Sequence, residues 1–145
     1  MPRNWNRAVL AGLAGTLLMT AVGLWVAPMM GIPRMNPAEM LAGVMGGNIL
    51  LGWAAHLMIG VVLATGYAVV APALPGAPAA RGALYGVAPW LLAQLAVLPM
   101  MGMPVFSGSM VLAMGSLVGH LVYGAVVGAT YGAVPHRAVG RAALA

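Results

Sequence analysis

No cysteine occurs in the chain, so disulfides, thiolate metal sites and thiol catalysis are excluded. Charge is nearly as scarce. Glu39 is the sole acid, and the six basic residues of the 145 are all arginine. A single carboxylate cannot supply a Ser-His-Asp triad or a carboxylate pair. No Walker loop, dinucleotide fingerprint or His-Glu-x-x-His motif is present, and Ser107, Ser109 and Ser116 are the only serines. These gaps argue against acid–base hydrolysis and for a non-catalytic protein. Redox chemistry through a bound cofactor is the one enzymatic role left open. The sequence pI is near 10.9, yet the arginines are scattered, so no nucleic-acid partner is expected.

What fills the chain is apolar. Hydrophobic residues make up 63% and charged residues 5%, against about 25% charged in an ordinary soluble domain. Lipid is the solvent such a surface calls for. Four uncharged runs, 8–30, 49–70, 82–101 and 110–134, each reach the roughly 20 residues needed to cross about 30 Å of hydrocarbon. Arg3, Arg7, Arg81, Arg137 and Arg141 fall on one side of these runs and only Arg34 on the other. That bias puts both chain ends in the cytoplasm. Trp25, Trp53 and Trp90 lie toward the outer half, and Tyr67, Tyr85 and Tyr131 toward the inner end, as an aromatic belt would. The first run begins like a signal peptide, but Pro28 directly after Ala27 disfavours cleavage.

Between the first two runs, Asn36-Pro37-Ala38-Glu39 reads as a helix start, with Asn as N-cap, Pro first and Glu three residues after the cap. Gly46-Gly47 ends it. Met40, Leu41, Val44 and Met45 share one face, which implies a short helix lying on the outer membrane surface. The linker 71–80, rich in Pro, Ala and Gly, reads as a plain connection.

The chain also reads against itself. Pro28-Met29-Met30-Gly31-Ile32-Pro33 matches Pro99-Met100-Met101-Gly102-Met103-Pro104. His56-Leu57, Gly60, Val62 and Tyr67 match His120-Leu121, Gly124, Val126 and Tyr131. Arg7, Leu10, Gly12, Ala14, Leu17 and Leu18 match Arg81, Leu84, Gly86, Ala88, Leu91 and Leu92. Three blocks in one order point to duplication within a single integral membrane domain, 1–145, with halves at about 7–70 and 81–134. Each half is a helical hairpin, so the repeat is parallel, about an axis along the membrane normal. With the helices around that axis in chain order, the second and fourth are diagonal, and His56 and His120 face each other across the centre.

An ionisable side chain inside a span is costly and is a functional candidate by default. His56 lies about 14 residues, or about 21 Å, from the inner end of its run, in the outer third of the bilayer. Gln94 and Thr20 form a supporting polar layer at the same level. Gly52 and Gly60 bracket His56, and Ser116 and Gly124 bracket His120. Such faces permit close helix approach and leave room for a flat cofactor. The pair suits axial ligation of a b-type haem. It also suits the lining of a small-ligand pocket or proton-linked path. Ten of the 13 methionines fall near the outer side, Met29, Met30, Met35, Met40, Met45, Met100, Met101, Met103, Met110 and Met114. Thioethers suit Cu(I), which opens a copper-related role, though methionine is also a flexible apolar filler. The plainest reading is interhelical hydrogen bonding by His56 and His120 with Gln94 and Thr20, worth roughly 0.6 to 2 kcal/mol per bond. His136 in the tail reads as solvated.

The string Met114-Gly115-Ser116-Leu117-Val118-Gly119-His120-Leu121-Val122-Tyr123-Gly124, with the Pro-Met-Met-Gly blocks before it, resembles an uncharacterised family of small four-helix bacterial inner-membrane proteins. The resemblance implies four transmembrane helices in the cytoplasmic membrane and transfers no activity or site residue. The expectation is an all-α four-helix transmembrane bundle of two hairpins. It would serve as an accessory or scaffold subunit with the bilayer, a second copy or a larger membrane complex as partner, or as a haem- or ligand-binding bundle centred on His56 and His120.

Overall fold

The computed structural model describes residues 3–132. Val134, His136, Arg137 and Arg141 lie outside them. Four long helices, α1 (Trp5–Met29), α3 (Ile49–Ala73), α4 (Pro78–Met100) and α5 (Met110–Gly132), carry mean hydropathies of 1.5 to 2.0. A short α2 (Pro37–Val44) lies between the first two. Only 28–33% of each apolar stretch is buried within the bundle. The remaining apolar surface faces outward, which lipid tolerates and water does not. The chain is an all-α membrane protein.

Helix starts follow local chemistry and not the edges of the apolar runs. The Asn4 side chain accepts the Arg7 N–H at 3.0 Å, so α1 begins three residues before its run. Pro78 opens α4 four residues before its run, where its missing N–H costs nothing. The linker is shorter and better fastened than a plain connection. A 3₁₀ turn extends α3 through Ala73, and the Arg81 guanidinium donates to the carbonyls of Gly76 (2.8 and 3.0 Å) and Ala71 (3.4 Å).

Helix α1 packs on α3 and α5, and α5 packs on α4, while α3 and α4 barely touch. The helices therefore follow chain order around the bundle, with α3 and α5 diagonal, but one of the four seams is open. The closed seams rest on glycine. A Cβ at Gly12 would strike the backbone of Gly60 and Val61, and one at Gly124 the backbone of Gly82 and Gly86. Ala11, Ala64, Tyr67, Ala71, Tyr123 and Val127 fill the half nearer the N-terminus. Here the aromatic pattern departs from a lipid-facing belt. Tyr67 is 1% exposed and meets Tyr85 and Tyr131 edge-on. Trp90 is buried as well, because its indole N–H finds partners inside the bundle. Trp25 alone of the three outer tryptophans stands well exposed.

Both α1 and α4 contain a π-helical turn, Val22–Val26 and Ala93–Val97. In the first, Ala27 N–H reaches the Val22 carbonyl. Pro28 follows and has no N–H to continue the pattern. The Gly23 carbonyl is satisfied instead by Met35 N–H at 3.0 Å, which folds the outer loop back onto the helix. Each helix then ends alike. Ile32 N–H bonds the Ala27 carbonyl and Met103 N–H the Leu98 carbonyl, both at 3.0 Å, with Gly31 and Gly102 at φ 75° and 80°.

The Asn36 side chain caps α2 as the sequence expects, accepting from Ala38 N–H at 3.1 Å. The helix does not simply lie on the membrane surface. Its buried stripe is Ala38 and Ala42, which sit on the hole left by Gly52 of α3. Val44 and Met45 are exposed, and Met40 and Leu41 turn inward over the bundle.

Candidate functional site

Where α3 and α4 part, the half of the bundle farther from the N-terminus encloses a cavity of about 470 Å³. That lies within the range of about 300–1,000 Å³ typical of small-molecule sites. All four spans line it, and Met40 and Leu41 of α2 cover it from outside. Ile59 of α3 and Leu92 of α4 both line it and are 41% and 57% exposed. Its mouth therefore opens sideways, toward lipid. Tyr123 closes the floor, donating its hydroxyl to the Gly60 carbonyl at 2.6 Å. Below it, Tyr85 donates to the Leu63 carbonyl at 2.8 Å and shuts the rest of the same seam.

His56 and His120 both line this cavity, as do Gln94 and Ser116. The residues singled out from the sequence thus converge, but they do not form one layer of mutual bonds. Thr20 donates to the Thr16 carbonyl at 2.8 Å and lies 2.9 Å from His56 Nε2. Its one proton is committed to Thr16, so His56 Nε2 carries the hydrogen and donates to Thr20. Gln94 bonds neither histidine. Its amide donates to Ser116 Oγ at 2.8 Å, and its carbonyl accepts from Ser107 Oγ at 3.1 Å. His120 Nδ1 lies 2.8 Å from the Ser116 carbonyl, which only accepts. The hydrogen is therefore on Nδ1, and Nε2 is a bare acceptor with no hydrogen-bond partner among the described residues.

The glycine faces that bracket the imidazoles are filled. Thr16 packs against Gly60, Ala38 and Ala42 against Gly52, and Gly82 against Gly124. These small residues serve helix approach. Axial ligation of a haem through both Nε2 atoms would also require His56 Nε2, which is spent on Thr20. These residues do not fit a bis-histidine haem. The outer methionines are split too. Met35, Met40 and Met103 line the cavity, while Met29 and Met100 are each 86% exposed. Among the described residues no group of three or more His, Cys, Asp or Glu gathers to hold a metal ion.

Three contributors escape a sequence reading. Ser116, read as a small flanking residue, is the hub. It accepts from Trp90 (3.0 Å) and Gln94 and donates to the Ala113 carbonyl at 2.8 Å. Tyr123 follows His120 by three residues, a spacing that puts both on one helix face and could have flagged it. Ser107 gives no such signal. It sits with Phe106 in the left-handed region, at φ 58° and 50°, where side chains other than Gly, Asn and Asp are uncommon. Its bond to Gln94 and the Phe106–Trp90 ring contact at 6.0 Å hold it there.

The chain belongs to a family of unknown function, DUF6789, which matches residues 2–140. No curated protein and no solved structure matches it.

Proposed function

We propose that this member of the family is a non-catalytic accessory protein of the cytoplasmic membrane that binds one small lipophilic molecule in its outer-leaflet pocket. The observation that carries the reading is the single open seam. Three of the four helix contacts close on glycine, and the fourth parts at the level of His56 and His120 to leave a cavity facing lipid. The two histidines divide the work: His56 packs α3 on α1 through Thr20, and His120 presents a free acceptor. Arg3, Arg7 and Arg81 at one end of the bundle, against Arg34 at the other, support cytoplasmic termini. The matched π-turns, the matched helix ends and the equivalent contacts Gly12–Gly60 and Gly86–Gly124 support an internal repeat. The open seam is then the place where the second half departs from the first.

Native mass spectrometry of protein released from mild detergent tests the reading. The wild-type protein should retain a small lipophilic mass. Ala93→Phe, which places a ring in the cavity, should remove it while the helical signal stays unchanged. Retention of the same mass by Ala93→Phe would place binding elsewhere.

A further inference from the structure

We infer that the pocket, if it is the ligand site proposed above, takes a neutral lipid with a hydroxyl head, and that His120 Nε2 accepts the hydroxyl proton. The argument is one of matching. Among the described charged residues only Arg34 lines the cavity. It sits at the rim, over half exposed, paired with Glu39 through both carboxylate oxygens at 3.1 and 3.3 Å. A carboxylate or phosphate head would therefore be buried without a counter-charge, and so would an ammonium. Both histidines are neutral and each keeps one accepting ring nitrogen, Nδ1 of His56 and Nε2 of His120. His120 Nε2 is the one beside a free donor. The Gln94 amide has two N–H donors, of which one goes to Ser116 and the other has no bond among the described residues. Both belong to one corner, because Ser116 binds Gln94 by its hydroxyl and His120 by its carbonyl. A hydroxyl donates one bond and accepts another, and so satisfies both. An ether or ester only accepts, and would leave the imidazole lone pair unmatched. Ile59, Leu63, Leu92 and Val97 add an aliphatic wall that suits a chain entering from the bilayer.

Trp53 lies 6.3 Å from His56 and Trp90 bonds Ser116, so brominated chains in the pocket would quench their fluorescence. The full-length protein in nanodiscs of uncharged lipid is titrated with a dibrominated octadecanol, its methyl ether and the corresponding fatty acid at pH 8. The alcohol should quench at about fivefold to tenfold lower concentration than either analogue, the effect of one net hydrogen bond. His120→Leu should erase that difference and His120→Gln should restore part of it. A brominated alkyl hydroquinone that outcompetes the alcohol would assign an aromatic source to the same hydroxyl chemistry. Equal quenching by alcohol and ether overturns the hydroxyl assignment, a comparison that needs no variant to fold. Quenching that persists in Ala93→Phe overturns the pocket itself, so the two failures are distinct.

Discussion

Tyr123 of α5 donates its hydroxyl to the Gly60 carbonyl of α3 at 2.6 Å, a bond between diagonal helices that otherwise scarcely meet. It crosses the bundle one turn below His120 and separates the outer cavity from the tyrosine-filled inner half. Tyr123→Phe keeps the ring and deletes the bond. It should lower stability by about 0.5–1.5 kcal/mol, measured by unfolding in mixed detergent micelles. A loss several times larger would mean that the ring, and not the hydroxyl, holds the diagonal.

The glycines separate by what a Cβ would meet. At Gly124 it would press into the backbone of Gly82 across the α4–α5 seam, and backbone cannot turn aside. Gly124→Ala should cost about 1–3 kcal/mol as the helices separate. Gly43, near the end of α2, has open space where its Cβ would lie. Gly43→Ala should be neutral or stabilising by up to about 1 kcal/mol through helix propensity. Equal effects in the same unfolding assay would refute the close α4–α5 approach.

Much of this architecture was legible in the residues. Uninterrupted apolar runs marked the four spans, and Asn36-Pro37 marked the α2 cap, because length and capping are local properties. Convergence of His56, His120, Gln94 and Thr20 followed from depth along the helices. Their bonding did not, because it depends on rotation about each helix axis. The π-turns at Val22–Val26 and Ala93–Val97 change that rotation without any signature beyond the prolines that follow them. The open seam was hidden for a related reason. Near-equal halves read as a symmetric ring, and the parting of α3 from α4 at the level of the histidines belongs to tertiary packing alone. Trp90 and Tyr67 have the depth of belt residues; what turns them inward is the presence of partners in the core.

The ion pair of Arg34 and Glu39 predicts a pH dependence confined to acid. Hydrogen bonding from the Asn36 side chain, and then from Arg34, holds the Glu39 carboxyl below its ordinary value. The folded outer loop thus favours the ionised form. Its contribution is fully present above the unfolded-state value of about 4.3, and is lost as pH falls through the lower folded value. Protease nicking of the 31–36 segment should be flat from pH 8 to about 5 and rise only below that. Glu39→Gln should remove the rise by making nicking uniformly faster. Because the pair stands in water, added salt should weaken it. A transition near neutrality would assign the effect to another group.

The visible spectrum decides between the two uses of an intramembrane histidine pair. Axial ligation through both Nε2 atoms would require His56 to abandon Thr20, whose own proton is already given to Thr16, and to turn Nε2 toward the centre. Thr20 would then keep a buried hydroxyl with one bond fewer, and α1 would lose its tie to α3 in the outer half. Protein purified in mild detergent from haem-replete cells should accordingly show no Soret band, before or after dithionite. The ligand of the outer pocket would be sought among colourless lipids. A sharp Soret band with reduced α and β bands, lost in both His56→Gln and His120→Gln, would show that the rings reorient on cofactor binding. In that case Thr20→Val should raise haem occupancy, since it releases the His56 nitrogen that the present arrangement withholds.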